Sequence, residues 1–218
     1  MSLDIKICGL KTPEAVRAVL DHGASHVGFI FFAKSPRHLE PEEAGALARL
    51  AAGRAKTVAV TVDADDAYLD EIFEKMRPDV MQFHGKEPPE RVFFAKKRYN
   101  LPVLKAFSVS ETQDFQKISP FVGVADRFLF DAQPPKGSDL PGGNGVSFDW
   151  TMLAALDPDI DYMLSGGLNA VNVGDALRLA NPPGIDISSG VESQPGVKDT
   201  ALIEEFFKAV RTARAKAA

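Results

Sequence analysis

Four ionisable side chains stand at or just past the ends of short apolar runs: Cys8 in DIKICGL, Arg37 in KSPRHLE, His84 in QFHG and Asp131 in RFLFDA. A thiolate can take a proton and a carboxylic acid can give one, so Cys8 and Asp131 suit a base and an acid working on one substrate. Cys8 is the only cysteine of the chain, and a lone free cysteine ordinarily packs as a small hydrophobe, so its candidacy depends on where it points. Arg37 can fork two N–H donors onto a carboxylate or phosphate, although an arginine in so polar a loop also reads as solvated, as do Lys34 and His38. His84 reads as a hydrogen-bonding group of the structure before a catalytic one. His22, His26, His38 and His84 are too scattered for a metal cluster, there is no Ser/His/Asp arrangement, and no cofactor is expected.

Two glycine-rich stretches, LSGGL and DISSGVES, offer a different chemistry. Several N–H donors converging at short range can hold an oxyanion, and glycine lets the backbone come close. Gly166, Gly167, Ser188, Ser189 and Gly190 are the candidates. Either stretch alone could be a tight turn; the two together at the ends of the last two strands favour a phosphate site.

The elements that must position these groups alternate along the whole chain. IKIC, HVGFIFF, TVAVTV, DVMQFH, PVLKAF, RFLFDA, DYMLSGG and GIDISSG read as strands. PEAVRAVLDHG, PEEAGALARLAAG, DDAYLDEIFEKMRP, PPERVFFAKKRY, TQDFQKIS, FDWTMLAAL, NAVNVGDALRLA and TALIEEFFKAVRTARAK read as helices. Thr12 before Pro13 suits an N-cap. Eight such pairs in 218 residues, about 27 per pair, predict an α/β fold. A closed (β/α)8 TIM barrel formed as a single domain by residues 1–218 fits that count better than an open sheet. Barrel chemistry gathers at the C-terminal strand ends. Strand alternation sends Ile5 and Ile7 to the helices and Lys6 and Cys8 inward, and likewise turns Asp131, Asp186 and Ser188 inward. Gln82 and Lys105 are also expected to point inward, and Asp186 to pair with a barrel lysine, since buried charges need partners. The long Gly/Pro-rich loop QPPKGSDLPGGNGVS suggests a lid or binding loop.

Composition narrows the partners. The chain is 45% hydrophobic and 25% charged with a formal net charge of -5, which gives no global attraction to nucleic acid or an anionic membrane. There is no P-loop, no GxGxxG after the first strand, no signal-like segment and no apolar run long enough to span a membrane. A cytoplasmic enzyme acting on a small phosphorylated, carboxylated metabolite is the reading these residues support, with the monomer and the homodimer both open.

The motifs in order, KICGL, SPR, QFHG, FDA, GGNGVSFDW, LSGGLNAVNV and DISSGVESQPGVKD, resemble the phosphoribosylanthranilate isomerase family from about Asp4 to the last helix. The resemblance implies a (β/α)8 barrel without metal or organic cofactor. It implies an Amadori rearrangement of N-(5-phosphoribosyl)anthranilate to 1-(2-carboxyphenylamino)-1-deoxyribulose 5-phosphate in tryptophan biosynthesis. It makes Asp131 the general acid, Cys8 the general base and Arg37 the clamp on the anthranilate carboxylate. It gives the phosphate to the last two strand-end loops and adds Gly143 and Gly145 of GGNG to the substrate-binding set. An acid must keep its proton near neutrality and a cysteine base must reach its thiolate, so both need tuned surroundings. Lys11, Phe83 and Asn144 depart from the family's usual residues, and Asn144 lies in the loop beside the acid. The nearest rivals are other phosphosugar barrels, indole-3-glycerol phosphate synthase and the related histidine-pathway isomerase. Both want other residues at the end of the first strand than Cys8. A non-catalytic barrel that kept a phosphate cup is the rival of another class.

Overall fold

The computed structural model describes residues 3–138 and 140–217. Eight parallel strands close into a barrel in chain order: β1 (Asp4–Cys8), β2 (His26–Phe31), β3 (Lys56–Thr61), β4 (Val80–Phe83), β5 (Val103–Val109), β6 (Arg127–Ala132), β7 (Tyr162–Leu164) and β8 (Gly184–Ile187). β1 closes the ring against β8, with Lys6 in register with Asp186. The helices are α1 (Pro13–Asp21), α2 (Pro41–Ala51), α3 (Asp66–Met76), α4 (Pro89–Tyr99), α5 (Val173–Ala180) and α6 (Thr200–Ala217). Thr12 caps α1 as its sequence predicts, its hydroxyl accepting from the Ala15 amide at 3.2 Å.

Two of the expected α-helices are instead 3-10 turns. Thr112–Phe121 carries Pro120 within it, which removes a donor and clashes with the preceding turn. Asp114 also draws the Ser110 and Glu111 amides onto its carboxylate. Trp150–Ala155 is squeezed between the Asp149 cap and Asp157–Pro158, too few residues for a stable α-helix. α5 starts late, at Val173, because Asn169 and Asn172 bond each other's backbone first. The sequence reading also missed a hairpin, β9 (Glu192–Gln194) with β10 (Val197–Lys198), in the connection from β8 to α6.

Strand parity sorts the apolar residues into two clusters. Ile5, Ile7, Phe128, Phe130, Ile185 and Ile187 belong to the large cluster between strands and helices. Cys8, Val58, Val60, Val80, Leu104, Ala106, Leu129 and Met163 fill the barrel itself. Lys105, expected inside, is a correction. Leu104 and Ala106 take the inward positions of β5, so Lys105 faces outward. There it is buried, bonded to Glu87 at 3.0 Å and to the Gly85 carbonyl at 2.8 Å, and it lies over the rings of Phe107 and Phe121. Lys6 does point inward, and meets Asp186 at 2.9 Å as expected. Among the described residues no helix is long and apolar enough to cross a membrane.

His26, buried near the foot of the barrel, has its Nδ1 2.8 Å from the Ser25 hydroxyl. Burial holds its pKa down at about 4; Asp4 pulls the other way, and Arg127, Lys6 and Lys56 add to the depression. An unfolded histidine titrates near 6.5. Between those values the unfolded chain binds a proton that the folded one refuses, so stability falls as pH drops from about 6.5 to 4. Denaturant titrations across that window should show the wild type losing on the order of 2–3 kcal/mol more than His26→Gln. Parallel curves for the two proteins would remove His26 from the acid response.

Candidate functional site

The barrel's C-terminal end opens into a pocket with about 680 Å³ of empty space. Strand ends supply its floor: Cys8 from β1, Asp131 from β6 and Asp186 from β8. Loops supply its walls: Arg37 after β2, His84 after β4, Gly142 and Gly143 after β6, Ser165, Gly166 and Gly167 after β7, Ser188 and Ser189 after β8. Strand parity therefore brought base and acid candidates into one cavity. Gly145 and Gly190 do not line it. Gly145 lies near Ser189, and Gly190 packs against the backbone of Leu168 and Asn169 so tightly that a methyl group there would collide with the Leu168 carbonyl. Gly190 joins the β7 and β8 loops; it does not wall the cavity.

Cys8 is 5% exposed, and its thiol is held above its ordinary value. Burial is the largest cause; the Lys6 ammonium opposes it, Asp186 adds to it and Lys198 opposes it more weakly. Burial would strip Lys6 of its proton, but Asp186 and Cys8 outweigh it, and Lys6 titrates above an ordinary lysine. The thiol thus sits neutral beside a fixed cation, where a thiolate costs less than in an apolar core alone.

Asp131 is buried. Its Oδ1 accepts from the Ala132 amide at 2.9 Å and its Oδ2 lies 3.5 Å from His84 Nε2. The Gln82 amide stands 2.9 Å from His84 Nδ1. With that amide as donor, the imidazole proton sits on Nε2, facing Asp131. The β6 loop folds back over both groups at Gly142, where a methyl group would collide with Asp131 Oδ2 and stand 2.7 Å from His84 Nε2. Asn144 ties this loop to itself, donating to the Leu140 carbonyl at 3.2 Å and accepting from the Ser138 hydroxyl at 3.0 Å.

Arg37 is not the solvated arginine its polar loop suggested. It is 3% exposed, and its stem runs across Gly9, where a methyl group would come within 2.6 Å of Cδ. Gly9 also has φ +77, a conformation that only glycine adopts freely, so the KICG motif and Arg37 depend on one position. Arg37 donates through Nε and Nη2 to the two oxygens of Glu192, each at 2.8 Å, and through Nη2 to the Gly143 carbonyl at 3.3 Å.

Sequence reasoning missed Glu192 and Lys198, which sit in the β9–β10 hairpin. Lys198 Nζ bonds Glu192 at 2.6 Å and the Ser188 carbonyl at 2.9 Å. Burial drags Lys198 below an ordinary lysine, with Glu192 opposing. Burial pushes Glu192 up, but Arg37 and Lys198 outweigh it and hold it below the usual range. The legible signal was Pro195–Gly196, a turn dipeptide between two short polar runs. In the β7 and β8 loops, the amides of Gly166, Gly167, Ser189 and Gly190 donate to no protein acceptor among the described residues, which leaves N–H groups for an anion. No cluster of three or more His, Cys, Asp or Glu side chains that could hold a metal ion occurs among the described residues.

The buried, neutral thiol has a direct test. Iodoacetamide labelling of Cys8, followed by intact-protein mass spectrometry, should run far more slowly at pH 7 in the folded protein than in denaturant. The rate should still be climbing above pH 9. Equal folded and unfolded rates at pH 7 would contradict the burial described.

Comparison with known proteins identifies the family. The family model for N-(5′-phosphoribosyl)anthranilate (PRA) isomerase matches residues 5–209. The N-(5′-phosphoribosyl)anthranilate isomerase of Mesorhizobium japonicum is 71% identical over 214 residues, 98% of each chain. That of Brucella canis is 67% identical over 216 residues, 99% of this chain and 97% of its own. The crystal structure of the Thermotoga maritima enzyme superposes with a TM-score of 0.85 at 29% identity, over 97% of this chain and all of the other. A phosphoribosyl anthranilate isomerase crystallised with reduced 1-(o-carboxyphenylamino)-1-deoxyribulose 5-phosphate superposes at 0.82, with 28% identity over 97% of this chain and 100% of its own. With a family match spanning all eight strands and relatives this similar along their full length, the chain belongs to the N-(5′-phosphoribosyl)anthranilate isomerase family.

Proposed function

We propose that residues 1–218 form one catalytic domain that uses Cys8 and Asp131 as base and acid in the family's reaction. That reaction isomerises N-(5′-phosphoribosyl)anthranilate to 1-(2-carboxyphenylamino)-1-deoxyribulose 5-phosphate, a step of tryptophan biosynthesis. The observation that carries the assignment is that Cys8 and Asp131 line one pocket from non-adjacent strand ends.

Asp131 gives its proton to the ribose ring oxygen as the C1′–O bond breaks. The lone pair of the anthranilate nitrogen forms the C1′=N bond, leaving a cationic Schiff base. Cys8, as thiolate, removes the C2′ proton; the C–H pair becomes a C1′=C2′ bond and the iminium π pair returns to nitrogen. The resulting enolamine takes a proton at C1′ and loses one from the C2′ hydroxyl to give the ketone, so the product is an isomer of the substrate. Arg37 holds the anthranilate carboxylate. The free amides of Gly166, Gly167 and Ser189 hold the phosphate, with Ser188 beside them and Gly190 bracing the two loops against each other. Gly143, against Arg37, belongs to the clamp wall, and Gly145 supports the loop. The base needs help, since burial favours its neutral form; Lys6 supplies part of it, and the cation made at C1′ in the first step supplies more.

Complementation of a tryptophan-requiring strain lacking this isomerase tests the activity in the cell. In vitro, fluorescence decay of the substrate should report a kcat lowered by roughly 10²-fold or more for Cys8→Ala and for Asp131→Asn, with little change in KM. A Cys8→Ala enzyme at the wild-type rate would sink the base assignment. Arg37→Ala should act mainly on KM.

A further inference from the structure

Arg37 has a single guanidinium to offer, and half of it is already committed. Its Nε and Nη2 are both held by Glu192, 2.8 Å from each oxygen. What remains for a ligand is Nη1, together with the Nη2 proton on the same edge, which the Gly143 carbonyl holds only by a long 3.3 Å bond that a carboxylate can displace. Gly143 keeps that edge accessible, since a methyl group there would stand 2.7 Å from Nη1, while its carbonyl touches Nη2 only at 3.3 Å.

Glu192 is itself fully engaged. Beyond Arg37 it accepts from Lys198 Nζ at 2.6 Å and from the Gly196 amide at 3.2 Å, and its side chain is 3% exposed. Lys198 is anchored in turn on the Ser188 carbonyl. The hairpin carrying all of this rests on the SPR loop, where a methyl group at Gly196 would come within 2.5 Å of the Pro36 carbonyl. Two cations and one carboxylate buried together leave one net positive charge, and of the three only Arg37 lines the pocket.

We infer that Glu192 is a positioning residue that fixes the guanidinium of Arg37 so that its free edge meets the substrate's aromatic carboxylate. This rests on Arg37 being the carboxylate clamp. An arginine free to rotate loses rotamer entropy on binding; one locked by a bidentate carboxylate has lost it during folding. Glu192 touches neither the acid nor the base, so its effect belongs in substrate affinity and not in the chemical step.

The test is a double-mutant cycle read in KM and kcat with N-(5′-phosphoribosyl)anthranilate. Glu192→Gln should raise KM about tenfold, the loss of one charge-assisted hydrogen bond, and keep kcat within about twofold. Glu192→Asp, which keeps the charge, should recover part of the affinity. It also serves as the measurable variant if Glu192→Gln does not fold. In an Arg37→Ala background, Glu192→Gln should raise KM no further. Additive effects on KM, or a loss confined to kcat, would overturn the positioning role while leaving the clamp intact. An unchanged KM in Arg37→Ala alone would instead show that the clamp reading had failed, and the inference with it.

Discussion

A charge taken out of water must find its counter-charge at hydrogen-bond distance, and this barrel takes five charged groups out of water around one cavity. Lys6, Asp186, Arg37, Glu192 and Lys198 are all buried or nearly so. Lys6 and Asp186 come from strands 180 residues apart in sequence, and they meet only because β1 and β8 pair in one register. A one-residue slip of either strand would turn its charged residue to the helix layer and leave the other buried without its counter-charge. The ring closure that makes the barrel and the ion pair that supports the thiol are therefore one constraint. Such pairs are expensive to break, since the abandoned partner stays buried. That cost ties the position of Cys8 to the fold as a whole.

How far the sequence could be read follows from the same physics. Alternation in β1, β6 and β8 was decisive because each carries two bulky apolar residues on one face, so Cys8, Asp131 and Asp186 had to face the other way. β5 misled, for Lys105 occupies a position the hydrophobic pattern reserves for an apolar residue. It survives on the outer face because Glu87, three carbonyls and two aromatic rings receive it. Glu192 and Lys198 were illegible for a related reason. Each is a charged residue in a polar loop, which by composition reads as solvated, and only the hairpin buries them against Arg37. Arg37 itself was misread by its surroundings until the motif resemblance gave it a role.

The glycines of the site divide by what crowds them. Gly9 lets Arg37 pass, Gly142 lets the β6 loop lie on Asp131 and His84, and Gly143 leaves Nη1 open. Those three are places where another group occupies the space of a side chain. Gly166 and Gly167 combine crowding with unspent N–H groups, the combination an anion site requires. The sequence announces only that glycine is abundant at these strand ends; which glycine leaves room for a side chain and which donates to a ligand is settled by contacts between loops far apart in the chain.

The unfavourable state of the thiol fits the order of the chemical steps. A cysteine held as thiolate throughout would be a standing nucleophile beside a reactive sugar, whereas a neutral one is inert until a proton must move. Burial outweighs the Lys6 ammonium, and Asp186 adds to it, so the thiol stays above its ordinary range despite the neighbouring cation. In the proposed mechanism the missing stabilisation arrives when Asp131 opens the ring and a positive charge appears on the substrate's nitrogen. That charge acidifies the C2′ proton and attracts the thiolate in the same event. On that mechanism the acid step creates the electrostatic condition for the base step, so the thiol can stay neutral in the empty site and still serve as base once the cation forms.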